Sequence, residues 1–194
     1  RKINAVMSTS AGRLFDAVSA ILGIRRQSSF EGEASTALQF AAETFERRLQ
    51  SDCIHEQAAE ADFECMLYRK QTTENLSVSD VSCILNTEAL VQQIVTAKLQ
   101  GTDRGALAYL FHRTLAEQIV AACKAAREHS GRAKVALSGG VFQNRLLLRL
   151  TEEGLEQEGF EVLRHHMIPP NDGGIAIGQA AYGLYYLQNV KKEI

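Results

Sequence analysis

Apolar residues recur at three- and four-residue intervals almost from the first position, and this spacing predicts helices through the first two thirds of the chain. In residues 8–22, Leu14, Phe15, Val18, Ile21 and Leu22 share one face behind a Ser/Thr run, which predicts an N-capped amphipathic helix closed by Gly23. Residues 31–50 put Ala34, Leu38, Ala41, Ala42 and Phe45 on an apolar stripe and Glu43, Glu46, Arg47 and Arg48 on a wet face. Between 61 and 78 the period changes to two: Ala61, Phe63, Cys65 and Leu67, then Leu76 and Val78, alternate with their neighbours around QTTEN, predicting a short hairpin. Residues 87–100 return to helix and stop at Gly101. Residues 104–129 then predict an interior scaffold helix of about 39 Å, with Leu107, Leu110, Phe111, Leu115, Ile119, Ala122 and Cys123 on one side.

The last third alternates. KVALSGGV (134–141) reads as a strand entering a Gly-Gly turn, QNRLLLRLTEEGLEQEG (143–159) as a helix and FEVLRHH (160–166) as a strand. PPNDGG (169–174) reads as a loop, and IAIGQAAYGLYYLQ (175–188) as a closing helix. Strand, helix, strand, helix in this order predicts a parallel α/β unit with a right-handed crossover.

Composition narrows the function classes. The 194 residues make one domain rather than two full-sized ones, and 45% hydrophobic against 23% charged residues is enough for a real core. With 21 Lys and Arg against 23 Asp and Glu, and no basic block, nucleic acid is a poor default partner. The apolar runs fall far short of the roughly 20 residues that cross a bilayer, so the chain reads as cytoplasmic, without a membrane partner. Cys53, Cys65, Cys83 and Cys123 show no zinc-type spacing and read as reduced structural thiols. A helical pattern sets in soon after Arg1, so the sequence reads as a piece of a longer polypeptide.

Three loops carry candidate chemistry. At Ser138, Gly139, Gly140 and Val141, with Gln143 and Asn144 following, glycines after a strand allow close backbone approach, and helix N-terminal amides favour an anion. A tight turn without ligand is the alternative. In PPNDGG one carboxylate, Asp172, stands between stiffening prolines and permissive glycines, as a helix cap or as a metal or phosphate contact. Gly174, Gly178 and Gly183 each cost about 1 kcal/mol in a helix, which predicts compensation by close packing or by a ligand. Near Gly12, Asp16 falls on the first turns of a helix, where a carboxylate serves the helix dipole or accepts ribose hydroxyls. Neighbouring His165 and His166 point to opposite faces of a strand and cannot readily chelate together, while His112 is expected in the core with one hydrogen bond.

TSAGRLFDAV (9–18), EGEAS (31–35), LSGGVFQNRLLL (137–148) and PPNDGGIAIGQAA (169–181) together resemble the C-terminal part of the HypF family, the carbamoyltransferases of nickel-iron hydrogenase maturation. The resemblance extends from about residue 8 to 185, with no matching motif between 50 and 100. The same module is similar to antibiotic O-carbamoyltransferases and, more distantly, to the TsaD enzymes that make threonylcarbamoyl-adenosine in tRNA. It implies an α/β fold: the second lobe of an actin/sugar-kinase-like (ASKHA) fold with a helical insertion. The chain would be a single unit over 1–194, with 31–130 the mainly helical insertion and 131–194 the subdomain of the nucleotide and metal site.

The resemblance further implies ATP or carbamoyl-adenylate as ligand, with Ser138, Gly139, Gly140 and Val141 against the nucleotide and Asn144 close by. Gly12 and Asp16 would face the ribose, Glu31 would approach the adenosine, and Asp172 would bind a divalent metal, iron or magnesium, as the catalytic carboxylate. In the intact enzyme carbamoyl phosphate and ATP give carbamoyl-adenylate, and the carbamoyl group passes to the C-terminal cysteine of HypE. The chain lacks the HxxxH-type histidine pair of the family's first lobe, and the upstream acylphosphatase, zinc-finger and adenylate-forming domains. Alone it is therefore expected to be inactive. A docking module without chemistry is the reading from a different class.

Overall fold

A computed structural model describes residues 8–52 and 85–190; the hairpin expected at 61–78, and Cys53, Cys65 and Cys83, lie outside the described residues. The described residues are mostly helical, with one small sheet. In chain order come α1 (Ala11–Leu22), α2 (Glu33–Asp52), α3 (Thr87–Leu99), α4 (Arg104–Ser130), β1 (Lys134–Leu137), α5 (Arg145–Gln157), β2 (Glu161–Arg164) and α6 (Ile175–Val190). Short 3-10 turns at Gly140–Gln143 and Asp172–Gly174 precede α5 and α6.

Local chemistry sets the boundaries. Gly23 closes α1 in the left-handed conformation, donating to Ala20 and Ser19 carbonyls. Ser10 occupies the N-cap position of α1 but makes no side-chain cap hydrogen bond, so the predicted serine cap is absent. At the start of α2, Glu33 accepts from Ser29 N at 2.6 Å and Ser29 Oγ at 3.0 Å. These bonds, the backbone one foremost, hold its carboxyl below the usual range. Asn86 Oδ1 caps α3 through Ala89 N, and Asp103 Oδ1 caps α4 through Gly105 N and Ala106 N.

One apolar core joins the helices: Phe15, Val18 and Leu22 of α1, Leu38 and Ala42 of α2, Leu90 and Ile94 of α3, Leu107, Phe111 and Leu115 of α4, and Leu146 and Leu147 of α5. Phe15 meets Phe111 edge to face, with ring centroids 4.8 Å apart. Burying side chains of this size contributes about 1.5–3 kcal/mol each, which makes α4 the hub it was expected to be. Glu46, expected on the wet face of α2, is instead clamped at 2.7 Å by Arg149 of α5, which ties the two helices together.

β1 and β2 pair in parallel, Lys134 opposite Glu161 through Leu137 opposite Arg164, with α5 as the crossover between them. Leu137, Leu155 and Phe160 form a smaller core beneath the sheet, where the Arg127 guanidinium lies 4.1 Å from the Phe160 ring centroid. β1 runs into the Gly-Gly turn as expected, whereas β2 is shorter than predicted. β1 ends at Leu137 because the chain turns at Gly139, and β2 ends at Arg164, leaving His165 and His166 beyond the ladder.

Candidate functional site

The N-terminus of α1, the loop into α2, the turn before α5 and the turn before α6 converge on one cavity of about 1190 Å³. That is somewhat above the range of small-molecule sites, which enclose roughly 300–1,000 Å³. Gly12, Asp16, Glu31, Gly140, Val141, Asn144 and Asp172 all border it. Four segments from opposite ends of the chain, from Ser10 to Gly173, therefore meet at one place.

The turn before α5 is held from behind. Gly139 has φ 102° and ψ 155°, a region essentially closed to residues with a Cβ. Its N–H donates to Pro170 O at 2.9 Å, joining the SGGV turn to the PPNDGG loop. Ser138 Oγ lies 2.9 Å from His165 Nε2, so the ends of β1 and β2 are pinned together. Ser138 and Gly139 thus stand behind the cavity and shape it, whereas Gly140 and Val141 face it.

At the α1 end, Ser10, Ala11, Gly12 and Arg13 border the cavity, and the helix has neither a side-chain cap bond nor an acidic residue in its first turn. The first amides of a helix have no partner within it, so this end favours an anion. Asp16, one turn further, is paired with Arg13 at 3.2 Å and remains 35% exposed on its side chain, so it has acceptor capacity left for a hydroxyl.

Asp172 resolves differently from either simple reading of the loop. The cap of the 3-10 turn is Asn171, whose Oδ1 accepts from Gly173 N at 3.0 Å. The Asp172 side chain has no hydrogen-bond or ion-pair partner among the described residues, and the residue borders the cavity. Capping is therefore not its task. Among the described residues no group of three or more His, Cys, Asp or Glu side chains stands together as a metal site. One carboxylate does not make a site for a hard divalent cation, which takes about six ligands, so these residues by themselves do not fit the metal.

The glycines divide. A Cβ at Gly174 would lie 2.8 Å from Pro169 O, so the close approach expected there is real, in the turn rather than the helix. A Cβ at Gly178 or Gly183 would meet nothing within 4 Å, so of the two compensations expected, close packing is absent there among the described residues.

Residues not singled out from sequence also build the wall. Ser35, Thr36 and Gln39 border the cavity from α2. Their signal was a polar row beside the apolar stripe Ala34, Leu38 and Ala42, one helical turn apart. Behind Asn144 lies His112, fully buried, with Nδ1 2.7 Å from Ala108 O and Nε2 2.9 Å from Asn144 Nδ2. A carbonyl can only accept, so Nδ1 carries the proton and Nε2 accepts a hydrogen bond from the Asn144 amide Nδ2. Burial pushes this imidazole down to about 4 against the opposing effect of the Ala108 bond. It makes two hydrogen bonds where one was expected.

Residues 1–179 match the family described as the carbamoyltransferase Kae1-like domain, second subdomain. Among curated proteins, the carbamoyltransferase HypF of Rhodobacter capsulatus is 34% identical over 92% of this chain and 20% of its own length. The probable carbamoyltransferase HypF of Methanocaldococcus jannaschii is 26% identical over 97% and 21%. A full-length HypF crystallised in a phosphate- and nucleotide-bound form is similar at a TM-score of 0.73 and 30% identity, over 97% of this chain and 22% of that one. The chain thus spans about a fifth of the length of these relatives. With the SGGV and PPNDGG loops meeting at one cavity and the match running nearly end to end, the chain belongs to the second-subdomain family of the HypF Kae1-like carbamoyltransferase domain.

Proposed function

We propose that this chain holds the nucleotide half of a carbamoyl-transfer site, as the second lobe of an actin/sugar-kinase-like fold. The observation that carries the reading is the cavity at which the uncapped N-terminus of α1, Asp16, the Gly140–Asn144 turn and Asp172 converge. An adenylate needs an anion-favouring helix end for its phosphate, a carboxylate for its ribose hydroxyls and a wall without side chains where the backbone approaches. All three stand here. The related HypF crystallised with phosphate and nucleotide bound supports the same ligand class.

In this reading the first amides of α1 meet the phosphate, Gly12 and Asp16 lie at the ribose, from whose hydroxyls Asp16 accepts, Glu31 lies toward the base, and Gly140 and Val141 admit the nucleotide closely. Carbamoyl-adenylate, made from carbamoyl phosphate and ATP by upstream domains, is the donor. A thiolate attacks the carbamoyl carbon, the bond from that carbon to the phosphate oxygen breaks, and AMP leaves with the electron pair. The amides of α1 stabilise the charge that develops on the leaving phosphate. The acceptor is the C-terminal cysteine of HypE, so no cysteine of this chain acts as a nucleophile. Asp172 would supply one carboxylate to a divalent metal only if its remaining ligands came from outside the described residues, and such a metal would neutralise charge on the phosphate.

The test is nucleotide binding and carbamoyl transfer by the full-length protein. Saturable ATP binding and a carbamoylated acceptor thiol are expected. A protein that ignores ATP at millimolar concentration would instead be a docking module. Transfer to a sugar hydroxyl or to threonylcarbamoyl-tRNA chemistry, with no reaction at the thiol, would move it to the O-carbamoyltransferase or TsaD-like class.

A further inference from the structure

His112 lies on the far side of Asn144 from the cavity, packed edge to face against Phe15 at 5.3 Å and Phe111 at 5.6 Å between ring centroids. Neither the motifs nor the site chemistry accounts for a polar ring at this depth. An apolar side chain of similar volume would fill the same space without the desolvation that burying an imidazole costs. What the imidazole supplies is an acceptor at one position, 2.9 Å from Asn144 Nδ2.

The Asn144 carboxamide is consequently gripped at both ends. Oδ1 accepts from Leu147 N at 3.0 Å and caps α5, while Nδ2 donates to His112 Nε2. Reversing the amide would set oxygen against the Nε2 lone pair and NH2 against the Leu147 N–H, so the two bonds select one orientation. Asn144 N also donates to Val141 O at 3.1 Å, which links the gripped residue to the turn that borders the cavity. The His112 ring is oriented in turn by Ala108 O at 2.7 Å. A continuous chain of bonds therefore runs from the backbone of α4, through His112 and Asn144, to the Val141 turn.

We infer that His112 is a positioning residue for the nucleotide site, fixing the Asn144 amide and with it the Gly140–Gln143 turn in the conformation that receives the ligand. This inference rests on the nucleotide reading of the cavity. His112 does not border the cavity and is not a catalytic residue.

The experiment measures ATP affinity by calorimetry on the full-length protein, well below its unfolding temperature, for wild type, His112→Leu, His112→Met and His112→Gln. Leu and Met fill the volume without a good acceptor, and Met is the variant to use if Leu does not fold. Both are expected to raise Kd about tenfold, or about 1.4 kcal/mol. Gln places a carbonyl oxygen where Nε2 was and should stay within about twofold of wild type. Introducing His112→Leu into Asn144→Ala should weaken binding no further, because the two residues act as one unit. Wild-type affinity in a folded His112→Leu or His112→Met protein, or fully additive losses with Asn144→Ala, would leave His112 a merely structural core residue and overturn the inference. Absence of ATP binding by the wild type overturns the nucleotide reading as well, so the two failures are distinct.

Discussion

At the scale of single residues, two neighbouring glycines have different tasks. Gly139 sits at a positive φ of 102°, so Gly139→Ala should destabilise the fold by about 1–3 kcal/mol, measured by chemical denaturation. Gly140 has no such constraint, and a Cβ there would meet Asn171 Cβ at an ordinary 3.8 Å. Gly140→Val should therefore fold normally and lose nucleotide affinity at least about tenfold. Asp172 gives a second contrast. Because Asn171 makes the cap bond, Asp172→Asn and Asp172→Ala should both leave the melting temperature nearly unchanged while both abolish carbamoyl transfer. Retained transfer in the Asn variant would remove Asp172 from the site. His112 supplies a pH dependence. Its folded pKa, about 4, lies below the unfolded value near 6.5, so between these limits the unfolded chain binds the extra proton. The stability contributed by the neutral ring is fully present above pH 6.5 and is lost as pH falls towards 4. His112→Gln should show a flatter stability curve across that window in denaturant titrations.

At the scale of elements, the open end of α1 is the feature on which the phosphate reading depends. Ser10→Asp places a carboxylate at a helix N-terminus, where it both caps the amides and complements the dipole, for about 0.5–1 kcal/mol of added stability. If those amides receive a phosphate, the same change should weaken ATP binding, since the new carboxylate competes for the donors and repels the ligand. A rise in melting temperature with unchanged affinity would place the phosphate elsewhere. The helices were legible from sequence because each carries an apolar stripe of the right period: α2, expected at 31–50, runs over Glu33–Asp52, and α3, expected at 87–100, over Thr87–Leu99. Strand ends were less legible. The Gly-Gly pair announced the turn that stops β1 at Leu137, but nothing in FEVLRHH showed that β2 stops at Arg164 rather than running on to His166. The α1 cap failed for a related reason: Ser10 is the right residue at the right place, but its hydroxyl makes no bond to the helix.

At the scale of the whole molecule, α6 presents Ile175, Ile177, Tyr182, Leu184, Tyr185, Tyr186 and Leu187 at 50–70% exposure. A row of large apolar side chains this open to water associates readily, so the purified chain should sediment as more than a monomer, and Tyr185→Lys with Leu187→Lys should shift it towards monomer. No described helix is long and apolar enough to cross a membrane. The sequence by itself determined which segments are helical, because period and amphipathicity are local properties, and it picked out the glycine loops and Asp172, because residue types compatible with close approach and charge are few. It could not determine that Asn171 rather than Asp172 makes the cap, that Glu46 is clamped by Arg149 across 103 positions, or that His112 grips Asn144 across 32. The cap is a local choice between two adjacent residues of equal capping ability, while the other two relations depend on how α2, α4 and α5 pack, and packing brings together residues whose separation along the chain carries no information about their distance in space.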